Sequence, residues 1–99
     1  MIIEYSPESG LQLSEPFDFF RFKLVLKGPL AANFSDLKGI TLVDHDNALV
    51  PIDLVPVLPG CPKHNEIWEA AYAKMVVGAC ERGWIDANAN AIRAHIERF

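Results

Sequence analysis

Cysteine is scarce: Cys61 and Cys80, the two present in 99 residues, are too few to staple a small fold as a disulfide framework. A reducing compartment is the simpler expectation, and a cytoplasmic location goes with it. Also missing is any run near the ~20 apolar residues that a membrane-spanning helix needs. Met1 to Tyr5 lacks the basic region and apolar core of a secretory signal. Without export, the sequon Asn33-Phe34-Ser35 has no meaning as a glycosylation acceptor. The six glycines stand singly, so there is no phosphate-cradling loop, and no serine elbow or internal repeat occurs. Positive charge is short as well: nine Lys and Arg against thirteen Asp and Glu leave a formal charge of −4. A phosphate backbone demands clustered cations, so nucleic acid is not an expected partner.

What the chain has in quantity is apolar surface, 51% hydrophobic residues with six phenylalanines. That is too much for disorder and slightly rich for a lone 99-residue domain, which buries about two-thirds of its unfolded surface. Some of the surplus is expected at an interface, in a homodimer or a hetero-complex. The acidity is uneven: residues 1–58 hold four Lys/Arg against eight Asp/Glu, and residues 59–99 hold five against five.

The chain reads as one domain, residues 1–99, with a strand-rich half over 1–58 and a two-helix half over 63–99. Its organising stretch is Phe19 to Lys27. There Phe20, Phe22, Leu24 and Leu26 fall on one parity and Arg21, Lys23 and Lys27 on the other, the period of a strand with one buried face. Leu30, Phe34 and Leu37 are expected to tuck under the sheet, with Ser35-Asp36 capping one helical turn. Ile40 to Asp44 and Ala48 to Val55 read as a hairpin around His45-Asp46-Asn47. Pro51 has no N–H for a ladder, so the second arm is an edge strand or turns that position to solvent.

Asn65 is placed to cap a helix, with Glu66 and Glu69 in its first turn and Arg82-Gly83 as its stop. Trp68, Tyr72, Met75 and Ala79 form its buried face, widened by Ile67, Ala71, Val76 and Cys80. Ala70, Ala73 and Val77 leave so little polar surface that burial on a second flank is expected, with Gly78 allowing close approach to the sheet. Asp86 then caps a second helix whose inner face is Ile92, Ile96 and Phe99, with His95 packed beside them. The expected fold is therefore α+β: a small antiparallel sheet of three or four strands, including the hairpin at about 40–55, under a C-terminal αα-hairpin.

No catalytic constellation stands out, and no cofactor or metal is expected. Asp44, His45 and Asp46 have the donor chemistry of a divalent-ion site, but hairpin tips share that composition and the spacing is not that of a calcium loop. Cys61, His64, Cys80 and His95 match no zinc spacing, and Cys80 beside Glu81 lacks the electropositive setting of a nucleophile. Arg93, Arg98, Asn88 and Asn90 on the second helix invite a helix-turn-helix reading that the net charge opposes. Asp18, Asp36, Asp44, Asp46 and Asp53 give the strand half a negative field, and Trp84 is the best candidate for an exposed aromatic. The leading expectation is a small acidic protein-interaction module, a subunit, adaptor or inhibitor of a basic partner, docking through Asp44, His45, Asp46, Asp53 and Trp84. Behind it stand a small metal-dependent enzyme or binding protein built on the 44–46 tip, and a DNA-binding helix pair.

Overall fold

The computed structural model describes residues 1–28 and 37–98. Among these, seven strands form one mixed sheet: β1 (Ile2–Ser6), β2 (Gly10–Ser14), β3 (Lys23–Leu26), β4 (Thr41–Leu42), β5 (Asn47–Pro51), β6 (Ile85–Asp86) and β7 (Ala91–Arg98). One α-helix, α1 (Glu66–Glu81), joins β5 to β6. The strand order is β2-β1-β3-β7-β5-β4, with β1, β3 and β7 parallel to one another. Strand β5 lines one edge of β7, and β6 and β3 lie end to end along the other. The expected antiparallel sheet of three or four strands under an αα-hairpin is overturned, and residues 63–98 hold one helix and two strands where two helices were expected.

The second helix fails for a specific reason. Ile92 and Ile96 are four apart, a spacing that suits a helix face and, being even, one side of a strand equally well. Ala94 completes that side, buried with Ile92 and Ile96, while Arg93 and His95 are exposed opposite. Asp86 supplies the chemistry expected of an N-cap, but its carboxylate accepts from the amides of Asn88 and Ala89, at 3.0 and 3.1 Å, and closes the β6–β7 turn. With the helix goes the helix-turn-helix reading: Arg93 and Arg98 stand on a strand. His95 is exposed rather than packed, and Phe99 lies outside the described residues.

The long strand expected over 19–27 shortens to Lys23–Leu26. Asp18 breaks it, its carboxylate accepting from the Phe20 amide at 3.2 Å and from Arg21 Nε at 2.9 Å. Phe20 is thereby turned wholly into solvent instead of into the core. The 40–55 hairpin is present with shorter arms, β4 pairing β5 through Thr41↔Leu49 and Leu42↔Ala48. Strand β5 is interior, flanked by β7 and β4. Ile52 donates to Asn90 on the β7 side, so the nitrogen of Pro51 faces the other way, where β4 has already ended. No ladder bond is lost there.

One sheet face carries the core. The rung Leu13–Ile3–Leu24–Ile96 runs across four strands, with Tyr5, Leu26, Val50 and Ala94 on neighbouring rungs. Leu37 is buried with them, while Leu30, Phe34 and the Ser35-Asp36 cap lie outside the described residues. Helix α1 covers this face through Trp68, Tyr72 and Ala79, with Met75 and Val76 partly buried against it. Asn65 caps it as expected, its side chain accepting from the Trp68 amide at 3.0 Å. Contrary to expectation the helix buries a single flank: Ile67 and Val77 are 78% and 58% exposed and Cys80 is exposed too. Gly78 does not meet the sheet, since a Cβ there would lie 3.6 Å from Arg82 Nη1.

The opposite sheet face is open and polar. Lys23 pairs with Glu97 at 2.9 Å and Lys27 with Glu4 at 3.0 Å. Val25 lies between Glu4 and Glu97 in register and is buried although its face has no helix, because the long side chains of those pairs close over it.

Candidate functional site

The feature that the topology builds is the junction on β7 where β6 and β3 meet end to end. Lys23 is paired with His95 and Ile85 with Ile92, so β7 passes from one neighbour to the other at Arg93 and Ala94. Two chain segments enter the sheet at that point from opposite directions, and the gap between them is a groove.

Trp84 forms one wall, and the end of α1 puts it there. Gly83 takes φ +78°, the left-handed conformation that costs glycine little. Its amide donates to Cys80 O at 3.1 Å and the Trp84 amide to Ala79 O at 2.9 Å, the two bonds of a Schellman cap. The Trp84 carbonyl then accepts from the Arg93 amide at 2.8 Å, which docks the helix end on β7. Gly83 as the stop signal was legible in the sequence.

Phe19, Phe20 and Phe22 form the other wall. Trp68 holds their loop, donating Nε1–H to Pro16 O at 2.8 Å and meeting the Phe19 ring at 6.5 Å between centroids. The Met1 amino group donates to the carbonyls of Asp18 and Arg21. With both sides of the turn tied down, Phe20 stands fully exposed at the lip and Phe22 half-buried at its base.

Two adjoining cavities, of about 440 and 280 Å³, lie at the junction, both lined by Phe22, Trp84 and Arg93, and a further one of about 380 Å³ beside them is lined by Trp84, Arg93 and Asp86. Arg82 closes the first, its guanidinium 5.3 Å from the centre of the Trp84 ring. His95 and Asn47 close the second. Arg93 donates Nε–H to Asn47 Oδ1 at 3.1 Å, and Asn47 in turn donates to Asp44 Oδ1 at 3.1 Å. Among the described residues no carboxylate lines either of the first two cavities, in a chain of net charge −4. Among the described residues Arg21, Lys23 and Lys27 each meet a carboxylate, while Lys63 and Arg98 meet backbone carbonyls. Another depression, also about 440 Å³, lies at the far end of β1, lined by the Glu4–Lys27 pair and by Glu8.

The expected site residues scatter. Asp44, His45 and Asp46 are exposed at the β4–β5 turn and Asp53 at the opposite end of β5, so they form no common rim. Asp44 is spent on the turn, accepting from the Asp46 amide at 2.8 Å and the Asn47 side chain; these bonds hold its carboxyl below the usual carboxylate range. Asp53 accepts from Asn90 at 3.4 Å. Among the described residues no three His, Cys, Asp or Glu groups gather as a metal site would require. Cys61 is buried, its thiol pushed up by that burial, and Cys80 is exposed and free. Trp84 alone of the five stands in the groove, 48% exposed. Arg82 escaped sequence reasoning as a site residue because it reads as a helix terminator, and Arg93 entered only under the helix-turn-helix reading, on an expected helix.

No family model, no curated protein and no solved structure matches this chain.

Proposed function

We propose that this chain is a non-catalytic protein-interaction module that takes an acidic segment of a partner protein in the groove between Phe22 and Trp84. The observation that carries the reading is the composition of that groove: exposed aromatics and two arginines, with no carboxylate among its described lining, on a chain with an excess of acid. Aromatic and arginine side chains are the ones that interface centres favour, because they bring large contact area or fixed donors at small entropic cost. The net charge had suggested a basic partner. Charge at the groove points the other way, and the carboxylates expected to bind that partner lie at two ends of β5.

Exposure of Phe20 supports the same assignment. A fully exposed phenylalanine held by a built turn gains nothing from folding, so its placement fits contact with another molecule. The complex is a hetero-complex in this reading, with the exposed α1 residues Ile67 and Val77 left for self-association as a homodimer. Among the described residues no helix is long and apolar enough to cross a membrane. The free cysteines fit a reducing compartment, and we place the protein in the cytoplasm on that basis.

The test is to recover a partner from extract with the intact chain, purify it, and measure direct binding to wild type, Trp84→Ala and Phe20→Ala. Both variants should weaken binding by about tenfold or more, the loss typical of an interface anchor. Equal affinity for all three would remove the groove from the interface.

A further inference from the structure

We infer that the acidic group on the partner segment is a phosphorylated side chain, held between the guanidinium groups of Arg82 and Arg93 beside Trp84. The inference rests on the groove being a protein-docking surface.

Both arginines are fixed by neutral partners. Arg93 spends Nε–H on Asn47 Oδ1, which leaves its terminal N–H groups without a protein acceptor among the described residues. Arg82 lies against the Trp84 ring, and no carboxylate of the described residues is within 4.0 Å of either guanidinium. The plainer role for Arg82, neutralising the end of α1, is already filled: the carbonyls of Gly78, Ala79 and Cys80 accept from the amides of Arg82, Trp84 and Gly83. Two positive charges thus line one cavity, and no carboxylate of the described residues pairs directly with either.

A single carboxylate would balance one guanidinium and leave the other partly desolvated and unmatched. A phosphoryl group brings about −1.5 to −2 charges and three acceptor oxygens at neutral pH, and the planar fork of arginine matches it two bonds at a time. The cavity of about 440 Å³ also has aromatic walls to take the remainder of the segment. The net charge of the chain weighs against a long polyanion, whose other phosphates would meet Asp18 and Asp44 nearby.

The experiment follows the indole N–H signal of Trp84 by NMR while blocked peptides carrying phosphotyrosine, phosphoserine or glutamate at one position are added to the intact protein. Inorganic phosphate and a single-stranded oligonucleotide are run in parallel. A phosphopeptide should move the Trp84 signal and bind about tenfold or more tighter than its glutamate counterpart. Arg82→Gln and Arg93→Gln should each cost about tenfold, Arg93→Lys should recover only part, and Lys74→Gln, on the exposed side of α1, should change nothing. The unmoved Trp68 indole signal confirms that each variant is folded. Equal affinity for the glutamate and phosphorylated peptides would overturn the phosphoryl assignment while leaving an acidic-segment groove standing. Inorganic phosphate binding as tightly as the phosphopeptides, or the oligonucleotide displacing them, would also overturn it. Failure of the groove itself is read separately, from a purified partner that binds Trp84→Ala as well as wild type.

Discussion

Leu24→Ala is the most direct test of the architecture that builds the groove. Leu24 is fully buried at the centre of β3, facing Ile3 on β1 and Ile96 on β7, so its side chain bridges the two halves of the sheet. Because neighbours on both sides are held by their own ladders, the site has little freedom to collapse into the space left by truncation. The cost should therefore lie in the range of about 3–5 kcal/mol that buried leucines show when a cavity remains. Taken from a small domain holding ~5–15 kcal/mol in all, that is enough to lower Tm by about 12 °C or more. Lys23→Ala, one residue earlier, removes a half-exposed ion pair with Glu97 and should cost within about 1 kcal/mol. Urea titrations followed by far-UV circular dichroism would measure both, with the midpoint moving and the slope unchanged if unfolding stays two-state. A Leu24→Ala variant as mild as Lys23→Ala would refute the register of β3 against β7, and with it the junction at Arg93.

Two further expectations follow from single contacts. A Cβ on Gly60 would lie 2.0 Å from Leu13 O at a backbone φ of +95°, so Gly60→Ala must displace the loop whose Pro59 carbonyl accepts from the Leu13 amide; a loss of about 2 kcal/mol or more in the same titration is expected, and a neutral substitution would show that the loop does not close against β2. The Lys23 ammonium beside Glu97, and the Arg21 guanidinium and Phe20 amide beside Asp18, hold both carboxyls below their usual range. A carboxyl whose pKa is lower in the folded chain adds stability that is fully present above its unfolded pKa and is lost as pH falls through the folded value. The share of stability that these two carboxyls contribute should accordingly hold down to about pH 5 and decline below about pH 4. In Glu97→Gln that acid decline should be shallower, and an identical profile would show that the Lys23–Glu97 pair contributes nothing.

Helix α1 was legible because several signals agree at its ends. Asn65 is followed by Glu66 and Glu69, Trp68 and Tyr72 are spaced for one face, and Gly83 follows Arg82, with no competing element that the same residues suit. The 40–55 hairpin was legible for the same reason. The C-terminal strands were not, since every cue used there has two meanings. Ile92 and Ile96 satisfy both periods, and an aspartate that caps a helix equally closes an Asx turn, as Asp86 does. The even-numbered run Ile92, Ala94, Ile96 against Arg93, His95, Glu97 held the answer, and the helical reading passed over it. Tertiary context decided the case: β7 is the one strand that pairs with three others, and only an extended segment could join β3 to β5.

The groove was illegible for a different reason, because no local pattern encodes it. Phe20, Phe22, Trp84, Arg82 and Arg93 come from two stretches some sixty residues apart, and they meet because β3 and β6 begin at adjoining points of one edge of β7. Each residue had an adequate local explanation. Phe20 and Phe22 completed an alternating strand, Arg82 ended a helix, and Arg93 sat on a supposed helix surface. The signal that survives folding is the placement: Phe20 left in solvent by a turn that Asp18 enforces, and two arginines brought to one cavity with no carboxylate among its lining. Local folding rules are satisfied at every one of these positions, and a partner covering the junction would bury the exposed aromatic and meet the two cations at once. That is the physical ground for reading the junction as an interface and the acidic tip at Asp44 to Asp46, whose polar groups already serve its own turn, as structure.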